Sequence, residues 1–410
     1  MCGARVCVIL ALAMKYAFVL GRNHELSMAE LGVVLGLKLE VLKNGSVAFF
    51  DGDLPGASAQ KFLNTLGGTM EIIEVVERGV DFASLQIKIE NLLKEKCSGV
   101  SGKCAFAVNL LPENKKSHVL KMLLPKIKKT LRAADISANF MNNNFQNASA
   151  VLVVKQGLVG RGTNIDIIEE GEGRVSLGFS VAMQDFEMYS KRDYEKPFRD
   201  AHVGMMPPKL AQIMINLAGT SGAPTSAIFD PFCGSGTILM EALLVGRNAI
   251  GCDHEARMAA GAEQNVAWLR TVFKISAESK IFHKNATAIN KEDIGTQDFA
   301  VVTEPFLGPA LSTWPAESFL KQVIKELTEL YLNFFKNLAH VVPAKTQVVF
   351  IFPVWNNGRG TKIHLLDSLV DKIESLGYIK TAFVPLQKTS LFYDRPGQIV
   401  GREIVRFVKK

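Results

Sequence analysis

Several features that would assign a protein quickly are missing from this 410-residue sequence. No apolar run approaches the roughly 20 residues that a membrane-spanning helix needs, so the chain reads as soluble, with no membrane role. Cysteine is scarce: the six form no CxxC pair, and no histidine stands at zinc spacing from them. The seven histidines likewise show no metal-ligand spacing, and no metal is expected. In a chain of this length such cysteines read as reduced and mostly buried, as in a cytoplasmic protein. On that reading a Cys97–Cys104 disulfide is not expected. Tandem repeats and low-complexity tracts are also absent. A composition of 48% hydrophobic and 21% charged residues excludes a disordered or fibrous chain.

The charge that is present is unevenly spread. The net excess is +7, yet twelve basic residues oppose three acidic ones between Lys94 and Arg161, so one segment carries all of it. Within that segment the spacing predicts a helix from Ser117 to Arg132. Val119, Leu120, Leu123, Leu124, Ile127 and Leu131 form its apolar stripe, and Lys121, Lys126, Lys128, Lys129 and Arg132 lie opposite. A solvated face of mixed sign would mean little. One of a single sign points to phosphate, hence to nucleic acid.

The N-terminus allows two readings. Arg5 followed by Val6 to Ala13 has the charge and apolar run of a signal peptide. Alternatively residues 1–13 are an extension ahead of a start at Met14, which is preferred because the chain beyond Met14 looks cytoplasmic.

The front of the chain alternates short strands (15–20, 47–50, 71–76, 104–110, 136–140, 151–154) with helices, an α+β pattern. Ser27 and Glu30 have capping-box spacing at the start of one helix. Residues 166–204 read as a linker. From about Met205 helix and strand alternate regularly: helix 209–217, strand 227–230, helix 237–245, strand 249–253, helix 256–273, strands 280–283 and 299–303, helix 316–338 and strand 346–352. That spacing predicts a doubly wound, mainly parallel sheet. Strands 378–385 and 402–408 would add an antiparallel edge.

The stretch Asp230-Pro231-Phe232-Cys233-Gly234-Ser235-Gly236-Thr237 joins a strand to a helix through glycines, which permit positive φ and close approach to a ligand. Asp253 ends the next strand, where a carboxylate can bind ribose hydroxyls. No lysine follows the glycines, which excludes a P-loop. No third glycine stands at Leu239, which argues against a dinucleotide site. A carboxylate just ahead of the turn would repel pyrophosphate and suits a cationic nucleoside. The spacing of Gly234-Ser235-Gly236 also differs from a GxSxG nucleophile elbow.

That stretch resembles motif I of the class I S-adenosylmethionine-dependent methyltransferases, in the version used by RNA guanine-N2 methyltransferases. Further stretches resemble the THUMP-domain tRNA guanosine-10 N2-methyltransferases of archaea and eukaryotes. They are Tyr16–Arg22 with Glu25–Leu31, Gln184–Phe186, Tyr189–Asp193, Arg199–Ala201 through Met206–Ala211, and Tyr393–Gln398 with Val400–Glu403.

The resemblance implies S-adenosylmethionine as cofactor, with Asp230, Phe232, Gly234 and Gly236 at its methionine end, Asp253 at its ribose and Asn285 at its adenine. It implies an N-terminal extension (1–13), a ferredoxin-like part (14–60), a THUMP-like RNA-binding domain (61–165), a linker (166–204) and a Rossmann-like methyltransferase domain (205–410). The implied partner is RNA, tRNA foremost. The chain would act as a monomer or with a small activating subunit.

Where the family has Asp-Pro-Pro-Tyr-Gly, this chain has Glu304-Pro305-Phe306-Leu307-Gly308. A carboxylate and a backbone carbonyl that accept the two N–H bonds of a ring amine localise its lone pair, and an aromatic wall stacks the base. Glu304, Pro305 and Phe306 are therefore the expected catalytic residues. Three outcomes stay open: transfer to guanine N2 in tRNA, transfer to another RNA, or an RNA-binding protein that holds cofactor but is a weak catalyst.

Overall fold

The computed structural model describes residues 15–36, 39–42, 45–113, 117–200, 205–219, 227–295, 298–395 and 397–410. The expected extension 1–13 with Cys2 and Cys7, the basic residues Lys115 and Lys116, Ala201 and Pro396 lie outside the described residues, as does the side chain of Ser117. The chain divides into two compact units, each made of separate segments. One takes Met1–Gly21, Lys38–Leu63 and Thr69–Gln184, the other Arg22–Leu37, Asn64–Gly68 and Asp185–Lys410.

In the first unit the described residues form one eight-stranded sheet. Its strands are β1 (Tyr16–Leu20), β2 (Leu39–Val41), β3 (Val47–Phe50), β4 (Thr69–Asp81), β5 (Cys104–Leu111), β6 (Ala138–Phe140), β7 (Asn164–Gly171) and β8 (Arg174–Met183). They lie in the order β2-β3-β1-β4-β8-β7-β5-β6. The thirteen-residue β4 pairs with β1 on one side and β8 on the other, so the sheet runs through the boundary expected at residue 60. Residues 166–183, expected as linker, instead belong to the β7–β8 hairpin, whose side chains are largely buried.

Helices Leu85–Cys97 and Ser117–Ala133 pack Leu85, Ile89, Leu93, Leu124, Ile127 and Leu131 against Phe106, Val108, Ile165 and Ile167 of the sheet. Residues 151–154, expected as a strand, lie in helix Ala150–Lys155, because the Ser149 side chain accepts from the Leu152 N–H and starts a helical turn. Cys97 and Cys104 are joined in a disulfide, against the expectation of free thiols. The loop after helix Leu85–Cys97 returns the chain at once to β5, and the two Cα atoms stand 5.7 Å apart, inside the range a disulfide spans.

This sheet buries a polar row. Ser180 Oγ reaches both Glu71 Oε1 and Asp166 Oδ2, while Asn164 donates to it and Asn109 donates to Asp166. Ser180 carries one hydrogen and can donate to only one carboxylate, so the other contact requires a proton on a carboxyl group. Burial raises both carboxyls, and Asp166 raises Glu71 further while the contact with Glu71 lowers Asp166. An acid whose pKa is higher folded than unfolded stabilises the fold below its unfolded pKa, and that contribution is lost as pH rises through the folded value. Between pH 5 and 8 the wild type is therefore expected to lose stability by up to about 1.4 kcal/mol per pH unit from this one proton. Urea midpoints measured across that range should show the loss, and Asp166→Asn should flatten it. Parallel profiles in wild type and variant would disprove the shared proton.

The second unit carries a nine-stranded sheet among its described residues: β9 (Ala227–Asp230), β10 (Asn248–Asp253), β11 (Ser279–His283), β12 (Phe299–Thr303), β13 (Gln347–Asn356), β14 (Lys362–His364), β15 (Tyr378–Thr381), β16 (Leu391–Tyr393) and β17 (Val400–Lys409). The main order is β11-β10-β9-β12-β13-β17-β15. β9 to β13 run parallel, while β17 pairs antiparallel with β13 on one side and β15 on the other. This is the doubly wound sheet with an antiparallel edge that the alternation predicts. Residues 364–376 contain the end of β14, a short turn and helix Val370–Ser375.

Both faces are covered. One carries helices Pro208–Leu217, Thr237–Leu244 and Ala256–Phe273. The other carries helix Glu317–Val341, whose Tyr331, Phe334 and Phe335 interlock with Phe350, Phe352 and Phe407.

Helix His24–Leu35, from the front of the sequence, belongs to this second unit. Leu26, Ala29 and Val33 join the core around helix Pro208–Leu217. Gly32 allows the close approach, since a Cβ there would meet the Val384 carbonyl oxygen at 2.1 Å. The expected capping box does not form, because Asn23 caps this helix. Ser27 lies inside it, with its single hydroxyl hydrogen within reach of the carbonyls of Gly68 at 2.7 Å and Asn23 at 3.0 Å. Glu30 is fully buried and accepts from the N–H groups of Gly67 and Gly68 and from Asn216.

Candidate active site

In an open parallel sheet, ligands bind beyond the carboxyl ends of the strands where the order reverses. Here the reversal lies between β9 and β12. A cavity of about 510 Å³ opens there, lined among others by Asp200, Asp230, Phe232, Gly234, Asp253, Glu304, Pro305, Phe306 and Arg402. Its volume is in the range of small-ligand sites.

Asp230 ends β9, and its Oδ1 accepts from the Thr303 hydroxyl at 2.6 Å and the Phe232 N–H at 3.2 Å. Burial above all, with a smaller push from Asp253 and Glu304 and against the pull of the Thr303 and Phe232 hydrogen bonds, brings this carboxyl up to about 7. Asp253 ends β10 and ties down the glycine turn: Oδ2 accepts from the Gly234 N–H and Oδ1 from the Glu255 N–H, both at 2.9 Å. Gly236 starts the next helix with φ at 81°. A Cβ there would be strained by that φ and would also stand 3.0 Å from that of Ala262.

Glu304 follows β12 directly, with its side chain 13% exposed. Its Oε1 accepts from Arg402 Nε at 2.5 Å. Burial raises its carboxyl, and the Arg402 guanidinium opposes that rise. Phe306 is 57% exposed at the cavity, while its carbonyl accepts from the Tyr331 hydroxyl at 2.7 Å, which fixes the turn after Glu304.

The structure thus brings Asp230, Phe232, Gly234, Asp253, Glu304, Pro305 and Phe306 to one cavity. Gly236 shapes the turn from outside the lining. Asn285, expected at the adenine, also lies outside it, and its Oδ1 is taken by the N–H and hydroxyl of Thr287.

Three residues with a part in this geometry were not among the expected site residues. Thr303 precedes the Glu304 motif and gives no signal of its own. Tyr331 sits in the apolar stripe of a helix and reads as core. Arg402 stands in the stretch Val400–Glu403, which carries part of the resemblance but no expected site role.

The lining fits the cofactor that the turn suggests. Asp200, Asp230, Asp253, Glu255 and Glu304 outnumber Arg402, which suits a ligand bearing positive charge, and the glycine turn leaves room for backbone contact. Among the described residues no group of three or more metal-capable side chains comes together, and no helix is long and apolar enough to cross a membrane.

Comparison with known proteins points the same way. Residues 196–304 match the family model UPF0020, described as RMKL-like, methyltransferase domain. A tRNA (guanine(10)-N2)-dimethyltransferase of Methanocaldococcus jannaschii is 36% identical over 130 residues, covering 31% of this chain and 36% of that protein. The protein of the same name from Methanothermobacter thermautotrophicus is 43% identical over 75 residues, covering 18% and 21%. The chain therefore matches about a third of the first relative's length and about a fifth of the second's. TrmN from Thermus thermophilus superposes over 96% of this chain and 99% of its own, with a TM-score of 0.51 and 15% identity, a likeness of fold. Strand order, the glycine turn and the match over residues 196–304 together give the second unit a class I, Rossmann-like methyltransferase fold, similar over that stretch to the RMKL-like methyltransferase domain.

Proposed function

We propose that the chain is an S-adenosylmethionine-dependent RNA methyltransferase acting on an exocyclic amine, with guanine N2 of tRNA as the acceptor. The observation that carries this reading is the meeting, in one acidic cavity, of the Asp230–Gly236 turn with Glu304, Pro305 and an exposed Phe306. Asp230 and the turn would hold the methionine end of S-adenosylmethionine, and Asp253 its ribose. When bound, that cofactor supplies an electrophilic sulfonium methyl group. Glu304 and the Pro305 carbonyl then serve as acceptors for the N–H bonds of the incoming amine, and Phe306 offers a face on which a flipped base can stack.

The first unit supplies the RNA contact in this reading, as a ferredoxin-like and THUMP-like front half. Lys121, Lys126, Lys128, Lys129 and Arg132 are exposed on helix Ser117–Ala133, which contains no acidic residue. None of the five makes an ion pair among the described residues. The tRNA relatives fit this surface, and a tRNA substrate fits a cytoplasmic monomer.

The test is to incubate the protein with labelled S-adenosylmethionine and unmodified bulk tRNA, digest the product and identify the nucleoside. Label is expected in N2-methylguanosine. Neutralising Lys121, Lys128 and Lys129 together should weaken tRNA binding and flatten its salt dependence, by about 0.9 in log–log slope for each phosphate no longer neutralised. Cofactor binding without tRNA label would move the acceptor to ribosomal RNA, call for an activating subunit, or leave a weak catalyst that binds RNA.

A further inference from the structure

Arg402 lies on β17, and β13 separates it from β12. The side chain spans that strand to reach Glu304, with 98 residues of sequence between the partners. The two side chains are 10% and 13% exposed and line the same cavity. Only Nε of Arg402 and only Oε1 of Glu304 are used in the bond. The second carboxylate oxygen has no partner among the described residues and is the one left for a ligand.

The other charged and titratable groups around this pair do not stabilise a negative Glu304. Asp200, Asp230, Asp253, His254 and Glu255 line the cavity with it. From helix Glu317–Val341 comes the Tyr331 phenol, which donates to the Phe306 carbonyl, and on β16 the ring of Tyr393 lies 6.0 Å from the Arg402 guanidinium. Glu403, next in sequence, faces elsewhere and pairs with His364 at 2.9 Å. Arg402 is therefore the cation that offsets the burial of Glu304.

We infer that Arg402 is a positioning residue for the transfer: it keeps Glu304 ionised and pins Oε1, so that Oε2 is presented to the acceptor amine. The inference rests on the function proposed above. Its chemistry is simple. A protonated carboxyl offers a hydrogen where the amine also offers one, and a carboxylate free to rotate presents its acceptor oxygen only part of the time.

Two variants separate the roles. Arg402→Gln removes charge and keeps a donor, whereas Arg402→Lys keeps charge and loses the guanidinium geometry. The first readout needs no turnover. Protein labelled with ¹³C at the glutamate side-chain carboxyl is titrated by NMR, and the Glu304 signal is assigned by its absence in Glu304→Gln. In Arg402→Gln the Glu304 midpoint should rise by at least one pH unit, a tenfold change in its ionisation equilibrium. The second readout is transfer to tRNA. The acid limb of kcat should move up by the same interval, and kcat at pH 7 should fall about 10- to 100-fold, with KM for S-adenosylmethionine within twofold.

Arg402→Lys should leave the midpoint near that of wild type yet lower kcat, which also covers the case in which Arg402→Gln fails to fold. An unmoved midpoint in folded Arg402→Gln overturns the proposal, as does wild-type kcat in Arg402→Lys. A shifted midpoint in a protein whose wild type methylates no RNA would leave the Glu304–Arg402 coupling in place and sink the proposed function instead.

Discussion

Glu304→Gln is expected to slow methyl transfer to tRNA by about 1,000-fold while S-adenosylmethionine affinity stays within threefold of wild type. A positioned carboxylate that accepts a proton or hydrogen bond in the transition state commonly contributes a factor of roughly 10²–10⁴. Glutamine keeps the length and shape of the side chain, so the glycine turn, which leans on Asp253, is left intact. It leaves Arg402 facing a neutral amide and halves the acceptor capacity toward an amine. Single-turnover transfer measures the first effect and equilibrium dialysis of labelled cofactor the second. A variant that transfers at wild-type rate would take the reaction away from Glu304 altogether. One that loses cofactor would reassign Glu304 from the acceptor to the cofactor side of the cavity.

The opposite pattern is expected at Asp253. Alanine there removes the acceptor of both the Gly234 and Glu255 N–H groups and, in the reading above, of the ribose hydroxyls. Hydrogen bonds to a charged group contribute about 1.5–3 kcal/mol each, so loss of one to the ligand and slackening of the turn should weaken cofactor binding about 100-fold. Asp253→Asn keeps the volume but sets an NH2 group against one backbone N–H, and an intermediate loss of about tenfold is expected. Transfer at saturating cofactor should fall much less than binding. Equal losses of kcat and affinity in Asp253→Ala would show that the turn and the Glu304 side of the cavity are not separable.

Much of this site can be read along the sequence because its parts are local. Asp230, the glycines and Asp253 fall at strand ends within one βαβ segment, where residue order and position in the fold nearly coincide. The parallel sheet follows from the same alternation. What is hidden is whatever depends on contacts across strands. The Glu304–Arg402 pair joins β12 to a strand of opposite direction two places away, and no spacing rule links them. Tyr331 is indistinguishable from its aromatic neighbours until its hydroxyl is seen to meet the Phe306 carbonyl. In the front half, the apolar run at 151–154 fits a strand or a helix, and the Ser149 cap decides for the helix. Ser27 and Glu30 have the right spacing for a cap, but burial gave both another use. Asn285 carries a second use: its amide oxygen accepts from the N–H and hydroxyl of Thr287 in its own turn.

Helix His24–Leu35 packs on helix Pro208–Leu217, and this has a consequence for how the chain is made. At about 5–20 residues per second, the ribosome delivers the second helix some 10–35 s after the first. Over that interval Leu26, Ala29 and Val33 have no permanent partner, although the strands around them can already pair. The methyltransferase unit therefore cannot mature as an independent C-terminal product of translation. A fragment beginning at Asp185 would lack a piece of its own core, so any dissection of the two units has to be done by point substitution, not by cutting.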